Sequence, residues 1–190
     1  MKIAIGCDHI AFEMKNQIID YLLSKKIEVI DCGTYNLTKT HYPMYGREVG
    51  LLVSEKKVDL GIVICGTGIG IGIAANKVKG IRAATVRDLY TTIKAKEEYN
   101  INVLSFGARI IGQGLAEMIV DAFINTPYLD KNKTFITTTN NLLKANNVSS
   151  GNFFKIENNR WVAGYYTDGI EKPEPPAPEH KVQKVRVGTI

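Results

Sequence analysis

Short apolar runs rich in valine and isoleucine alternate along the chain with longer segments whose apolar positions recur every three or four residues. Residues 2–6 predict a buried strand, and residues 11–25 a helix that lines up Phe12, Ile18, Ile19, Leu22 and Leu23 on one face. Residues 28–31 predict a second strand. Pro43 suits the first turn of the next helix, with Val49, Leu52 and Val53 inward. Residues 59–65 form a nearly continuous apolar run, the pattern of a strand covered on both faces. A glycine-rich turn at 66–70 and a helix at 71–77 follow, then a strand at 81–85, a helix at 89–99, a strand at 103–106 and a helix at 115–124 with Met118, Ile119 and Ala122 inward. This alternation predicts an α/β fold: a doubly wound, Rossmann-like parallel sheet of five strands.

From Asn125 the pattern changes. Residues 130–147 predict a further helix, polar enough to act as a docking arm, and Ser-Ser-Gly-Asn at 149–152 breaks it. Phe153, Phe154, Trp161, Tyr165 and Tyr166 then crowd five aromatics into a short stretch suited to packing on a body or a neighbouring subunit. Residues 171–190 carry Pro173, Pro175, Pro176 and Pro178 and are expected to be extended or disordered. The expected organisation is therefore a domain at 1–148 with a helical or irregular C-terminal extension, aromatic then proline-rich, at 149–190.

Composition adds limits rather than content. A chain of 190 residues suits one ordinary core. No apolar run is long enough for a bilayer, the first residues read directly as a strand rather than a signal peptide, and no membrane association is expected. The net charge of +5 is spread along the chain without interleaved aromatics, so nucleic acid is not the expected partner. Cys7, Cys32 and Cys65 match neither a metal spacing nor an even disulfide framework, which suits a reduced, cytoplasmic protein.

In an open α/β sheet, ligands sit beyond the carboxyl ends of the strands. Three features fall there: Gly6-Cys7-Asp8-His9, Thr40-His41-Tyr42-Pro43, and Cys65 followed by Gly66-Thr67-Gly68-Ile69-Gly70-Ile71-Gly72. Successive amides before a helix N-terminus can cradle an anion. The run lacks the Lys-Ser/Thr pair of a P-loop and matches a dinucleotide fingerprint only loosely. A thiol set against those amide dipoles is expected to have a lowered pKa. A buried strand cysteine is the plain alternative, and Cys7 and Cys32 fit it. Asp8 as a helix cap and His9 as a surface histidine are equally open from these residues alone.

These segments, with Asp31-Cys32-Gly33-Thr34, Ala74-Ala75-Asn76-Lys77 and Gly80-Ile81-Arg82-Ala83, resemble the ribose-5-phosphate isomerase B / galactose-6-phosphate isomerase family over residues 1–128. Thr40-His41-Tyr42-Pro43, Ala95-Lys96-Glu97-Glu98, Asn100-Ile101-Asn102-Val103 and Asn152-Phe153-Phe154 with Trp161 are most similar to the branch of galactose-6-phosphate isomerase B subunits. The resemblance implies aldose–ketose isomerisation of a sugar phosphate through a cis-enediolate. Cys65 would move the proton, while Gly66, Thr67, Gly68, Ile69 and Gly70 would supply backbone donors and one hydroxyl to the oxyanion. Asp8 and His9 would hold sugar hydroxyls or phosphate, Tyr42 would wall the site, and Arg109 would contact substrate. No metal and no organic cofactor is implied.

The chain departs from the ribose-5-phosphate isomerase pattern at two places. Glu98 and Tyr99 stand where a ring-opening histidine and an asparagine are expected, and Asn132 and Ile136 replace two phosphate-clamping arginines, with only Lys131 and Lys133 nearby. Sites of this family form between two subunits. One half-site kept and one lost implies a homologous A-type partner in a hetero-oligomer, with a dimer as its basic unit. A homomeric pentose- or hexose-phosphate isomerase is the first rival, and a non-catalytic sugar-phosphate-binding protein the second.

Overall fold

The computed structural model describes residues 1–130, together with the backbone of 154–156, 160–162 and 181–183. Five strands, β1 (Lys2–Cys7), β2 (Glu28–Asp31), β3 (Leu60–Cys65), β4 (Ala83–Thr85) and β5 (Val103–Gly107), alternate with α1 (Phe12–Ser24), α2 (Tyr42–Ser54), α3 (Ile69–Asn76), α4 (Leu89–Tyr99) and α5 (Gln113–Asn125). All five strands run parallel, in the order β4-β5-β3-β1-β2. Beyond them lie β6 (Phe154–Ile156) and β7 (Arg160–Val162), an antiparallel pair, and β8 (Lys181–Gln183), which adds antiparallel to the β2 edge. The five-stranded, doubly wound α/β sheet is as the hydrophobic pattern predicts, and β8 is an addition to it. The predicted helix at 130–147 lies almost wholly outside the described residues, as do the side chains of the 153–166 aromatics. Among the described residues no helix is long and apolar enough to cross a membrane.

Period-two alternation along the strands splits the core into two layers. Ile3, Ile5, Ile62, Ile64, Leu104 and Phe106 pack under α1 and α5 with Ile18, Leu22, Ile119 and Phe123. Ala4, Ile30, Val63, Cys65 and Val103 face α2 and α3 with Val49, Leu52, Ile71 and Ala75. Met118 breaks the expectation for α5: it is 53% exposed, because the buried stripe runs through Ala116, Ile119, Val120 and Phe123. The chain leaves β1 toward β2 on one side and returns as β3 on the other. This puts a crevice at the carboxyl ends of β1 and β3, where the direction of winding reverses.

A charged pair, Lys15 and Asp31, lies in the core. Lys15 falls on the inward stripe of α1, one turn after Phe12 and one turn before Ile18 and Ile19, and it is fully buried. Its Nζ donates to both Asp31 carboxylate oxygens at 2.7 Å and to Thr34 O at 2.9 Å, between the rings of Phe12 and Tyr35. Removing one partner strands the other as a buried charge. Lys15→Met is therefore expected to lower unfolding stability by about 3–5 kcal/mol in urea titration; a loss under about 1 kcal/mol, the range of an exposed pair, contradicts this placement.

Candidate active site

The turn after β3 is shaped by how closely it lies on β5. Gly68 has φ +79°, and a Cβ there would sit 2.6 Å from the Phe106 carbonyl carbon. A Cβ on Gly107 would sit 2.6 Å from the Thr67 carbonyl carbon, so two backbones touch where side chains would stand. The buried Ser105 hydroxyl donates to Gly68 O at 2.5 Å, and Thr85 Oγ1 donates to the same oxygen at 3.3 Å. Ala108 N–H and Arg109 N–H donate to Cys65 O (2.9 Å) and Gly66 O (3.1 Å). With the carbonyls drawn toward β5, the Gly68 N–H donates to Cys65 Sγ at 3.1 Å. Gly72 is the first α3 amide to bond back, to Gly68 O, and amides before that point have no intrahelical partner. Ile69 N–H donates to Thr67 Oγ1 at 3.3 Å, which leaves the exposed Thr67 hydroxyl proton to point elsewhere.

The other predicted residues close around this loop. Asp8 follows β1; its N–H donates to Ile64 O at 3.3 Å, and its Oδ1 caps a single 3-10 turn by accepting from Ile10 and Ala11 N–H. Burial pushes the Asp8 carboxyl above its ordinary range, against the pull of those two amides, His9 and Arg109. His9 Nδ1 accepts from Thr40 N–H at 3.3 Å, so a neutral ring carries its proton on Nε2. The hydroxyl end of the Tyr42 ring lies against Gly70, where a Cβ would meet its Cζ at 2.6 Å. Arg109 Cδ lies 3.8 Å from the Cβ position of Gly66. Asp8, His9, Tyr42, Arg109 and the run from Cys65 to Gly70 thus share one end of the sheet, around the β1–β3 crevice.

The three thiols separate by surroundings. Burial pushes the Cys7 thiol up to about 12 and raises that of Cys32 as well. Both are fully buried, and both fit the expectation of inert strand residues. Cys65 alone accepts a helix-turn amide on its sulfur.

Glu98, at the place of the expected histidine, sits in the last turn of α4 and pairs with Lys94 at 3.7 Å. Lys131, Asn132, Lys133 and Ile136 lie outside the described residues. Sequence reasoning missed Ser105 and Thr85, which pin Gly68 O, and it missed the Lys15–Asp31 pair. A serine inside the apolar run 103–107 and a lysine on an apolar helix stripe were the available signals. Among the described residues, no group of three His, Cys, Asp or Glu is placed to hold a metal ion.

Comparison with known proteins places this chain among sugar-phosphate isomerases. A family model described as ribose/galactose isomerase matches residues 3–138. Galactose-6-phosphate isomerase subunit LacB of Clostridium acetobutylicum is 45% identical over 170 residues, covering 87% of this chain and 98% of that protein. Ribose-5-phosphate isomerase B of Escherichia coli is 47% identical over 127 residues, covering 67% of this chain and 85% of that one. The solved structure of Clostridium thermocellum ribose-5-phosphate isomerase B superposes with a TM-score of 0.75 at 39% identity, covering 77% of this chain and 99% of that one.

Two measurements check the site's chemistry. Iodoacetamide on the native protein is expected to modify Cys65 before Cys7 or Cys32, as read by peptide mass spectrometry; earlier labelling of either of the others contradicts this separation. For Asp8, the folded chain holds the carboxyl proton more tightly than the unfolded chain does. Its contribution to stability is therefore present at low pH and declines as pH rises from 3.8 through the raised folded value. Asp8→Asn keeps an acceptor for the two capping amides, so its stability relative to the parent should climb across that window and then level off. A difference that does not change with pH counts against the burial assigned to Asp8.

Proposed function

The chain belongs to the ribose/galactose isomerase family, and from that premise we propose that Cys65 is the base of its proton transfer. It is an isomerase interconverting aldose and ketose phosphates. The observation that carries the proposal is the Cys65 sulfur beneath the Gly68 N–H, at the mouth of a loop whose carbonyls are tied to β5. A thiolate there takes the C2 proton of the aldose. The electron pair enters the C1–C2 bond and the charge moves to O1, giving a cis-enediolate. The O2 hydroxyl proton passes to O1, and the same sulfur then returns the carbon-bound proton at C1 as the carbonyl forms at C2. The Thr67 hydroxyl and the Gly70 amide face the developing oxyanion, while the Gly68 amide serves the sulfur and the Ile69 amide serves the Thr67 oxygen. Asp8, His9 and Arg109 hold hydroxyls and phosphate, and Tyr42 closes the wall over Gly70. The chemistry needs no metal or organic cofactor.

The substrate we propose is galactose 6-phosphate, converted to tagatose 6-phosphate, with this chain as one subunit of a heteromeric enzyme. Support comes from the relative named galactose-6-phosphate isomerase subunit LacB, whose alignment extends over 170 residues, well past the 127 aligned with the Escherichia coli ribose-5-phosphate isomerase B. It comes also from Glu98 standing where a ring-opening histidine is expected, which leaves that proton to an A-type partner chain. The isomerase domain is taken as residues 1–148, with 149–190 as its extension, and three buried free thiols suit a reducing cytoplasm. A homomeric ribose-5-phosphate isomerase is the second reading, favoured by the 47% identity to the Escherichia coli protein.

Galactose 6-phosphate, ribose 5-phosphate and allose 6-phosphate should be assayed on the purified chain and on the chain co-expressed with an A-type subunit. Turnover of galactose 6-phosphate is expected only in the co-expressed form. Full activity of the lone chain on ribose 5-phosphate would instead establish the second reading.

A further inference from the structure

The buried cluster at the end of β2 takes no part in the proton transfer, yet its hydrogen bonds lead to both sides of His9. Asp31 Oδ1, besides binding Lys15, accepts from Gly33 N–H at 2.9 Å. Gly33 O accepts from Cys7 N–H at 2.7 Å, and Thr34 N–H donates to Cys7 O at 2.9 Å. Cys7 leads directly into Asp8 and His9. Thr34 O, held by Lys15 Nζ, also starts the segment 34–41, near whose far end Thr40 N–H donates to His9 Nδ1 at 3.3 Å. The Thr40 hydroxyl shares a hydrogen bond of 2.9 Å with the buried Tyr45 hydroxyl, which fixes that end to α2.

Stability alone gives little reason for an ion pair here, since apolar residues of similar volume often replace a buried pair without loss. What apolar residues cannot do is grip Thr34 O and Gly33 N–H together. We infer that Lys15 and Asp31 are positioning residues: through Gly33 and Thr34 they frame the Cys7–His9 turn and the 34–41 strap so that the His9 ring is presented to the sugar phosphate. This inference rests on the isomerase reading of the site, in which His9 binds substrate.

The double variant Lys15→Met/Asp31→Leu removes both charges and keeps side-chain bulk. It is assayed with galactose 6-phosphate and ribose 5-phosphate, alone and with the A-type subunit, and the Thr40 amide is followed by hydrogen exchange. A positioning role predicts KM raised about tenfold with kcat within about threefold, because an interaction common to ground and transition states is lost. It also predicts faster exchange at Thr40. In a His9→Ala background the same pair of substitutions should add less than about twofold to KM, since both act through one contact. Unchanged KM and unchanged Thr40 exchange in the folded variant overturn the inference, and so does a full multiplicative effect on top of His9→Ala. Should the double variant not fold, Asp31→Asn, which keeps an acceptor for Gly33 N–H, is measured in the same way: raised KM with faster Thr40 exchange supports the positioning role, and no change in either overturns it. Absence of turnover by the parent assembly on either sugar refutes the isomerase reading of the site, while Thr40 exchange still decides whether the pair holds the strap.

Discussion

The site depends on one close approach: the turn after β3 rests on the backbone at the end of β5 with no side chain between them. An added Cβ at Gly68 would come within 2.6 Å of the Phe106 carbonyl carbon in β5, and one at Gly107 within 2.6 Å of the Thr67 carbonyl carbon in the turn. Contact this close brings Gly68 O within reach of the Ser105 hydroxyl. Once that carbonyl is tied inward, the amide of the same residue is directed at the Cys65 sulfur. A glycine-rich loop is often described as permissive, but this one is held in a single arrangement, as a preorganised charge-stabilising site requires.

Around this contact the α/β architecture provides a place for substrate. The strand order puts β1 and β3 side by side at the point where winding reverses, so the Asp8–His9 turn faces the Cys65 loop across the crevice. The β3 side is fixed by β5, through Ser105 and the amides of Ala108 and Arg109. The β1 side is fixed by the end of β2, through the Lys15–Asp31 pair and the ladder from Gly33 and Thr34 to Cys7. Each half of the crevice therefore has its own buried polar anchor, Ser105 on the β3 side and the Lys15–Asp31 pair on the β1 side.

The strands and helices of the sheet domain are legible in the sequence because buried parallel strands and one-sided helices leave different hydrophobic periods. The start of α3 is not. Gly70 and Gly72 are poor helix formers, so the pattern puts the helix at 71, yet it begins at Ile69. Packing requires those glycines: Tyr42 lies on Gly70, and the hydroxyls of Ser105 and Thr85 lie against Gly72. Met118 looks like core because it is apolar, although its position on α5 turns it outward. Asp8, His9 and the run from Cys65 to Gly70 are legible as motifs at the ends of β1 and β3, and Tyr42 as a motif at the start of α2, whereas Arg109 comes only from the family resemblance. The supports of these residues are not legible, since the partners lie far apart in the chain, as Thr40 does from His9 and Ser105 from Gly68. Only the fold joins them.

The role proposed for the Cys65 sulfur is to carry a proton between two carbons of a sugar phosphate. The direct test follows substrate in heavy water by NMR, on whichever form of the protein turns over a sugar phosphate, comparing the parent with Cys65→Ala and measuring sugar-phosphate binding by calorimetry in the same samples. Carbon-bound hydrogen exchange is predicted to fall by a factor on the order of 10² or more while binding persists. Exchange at the parent rate in Cys65→Ala would assign the proton transfer to another group.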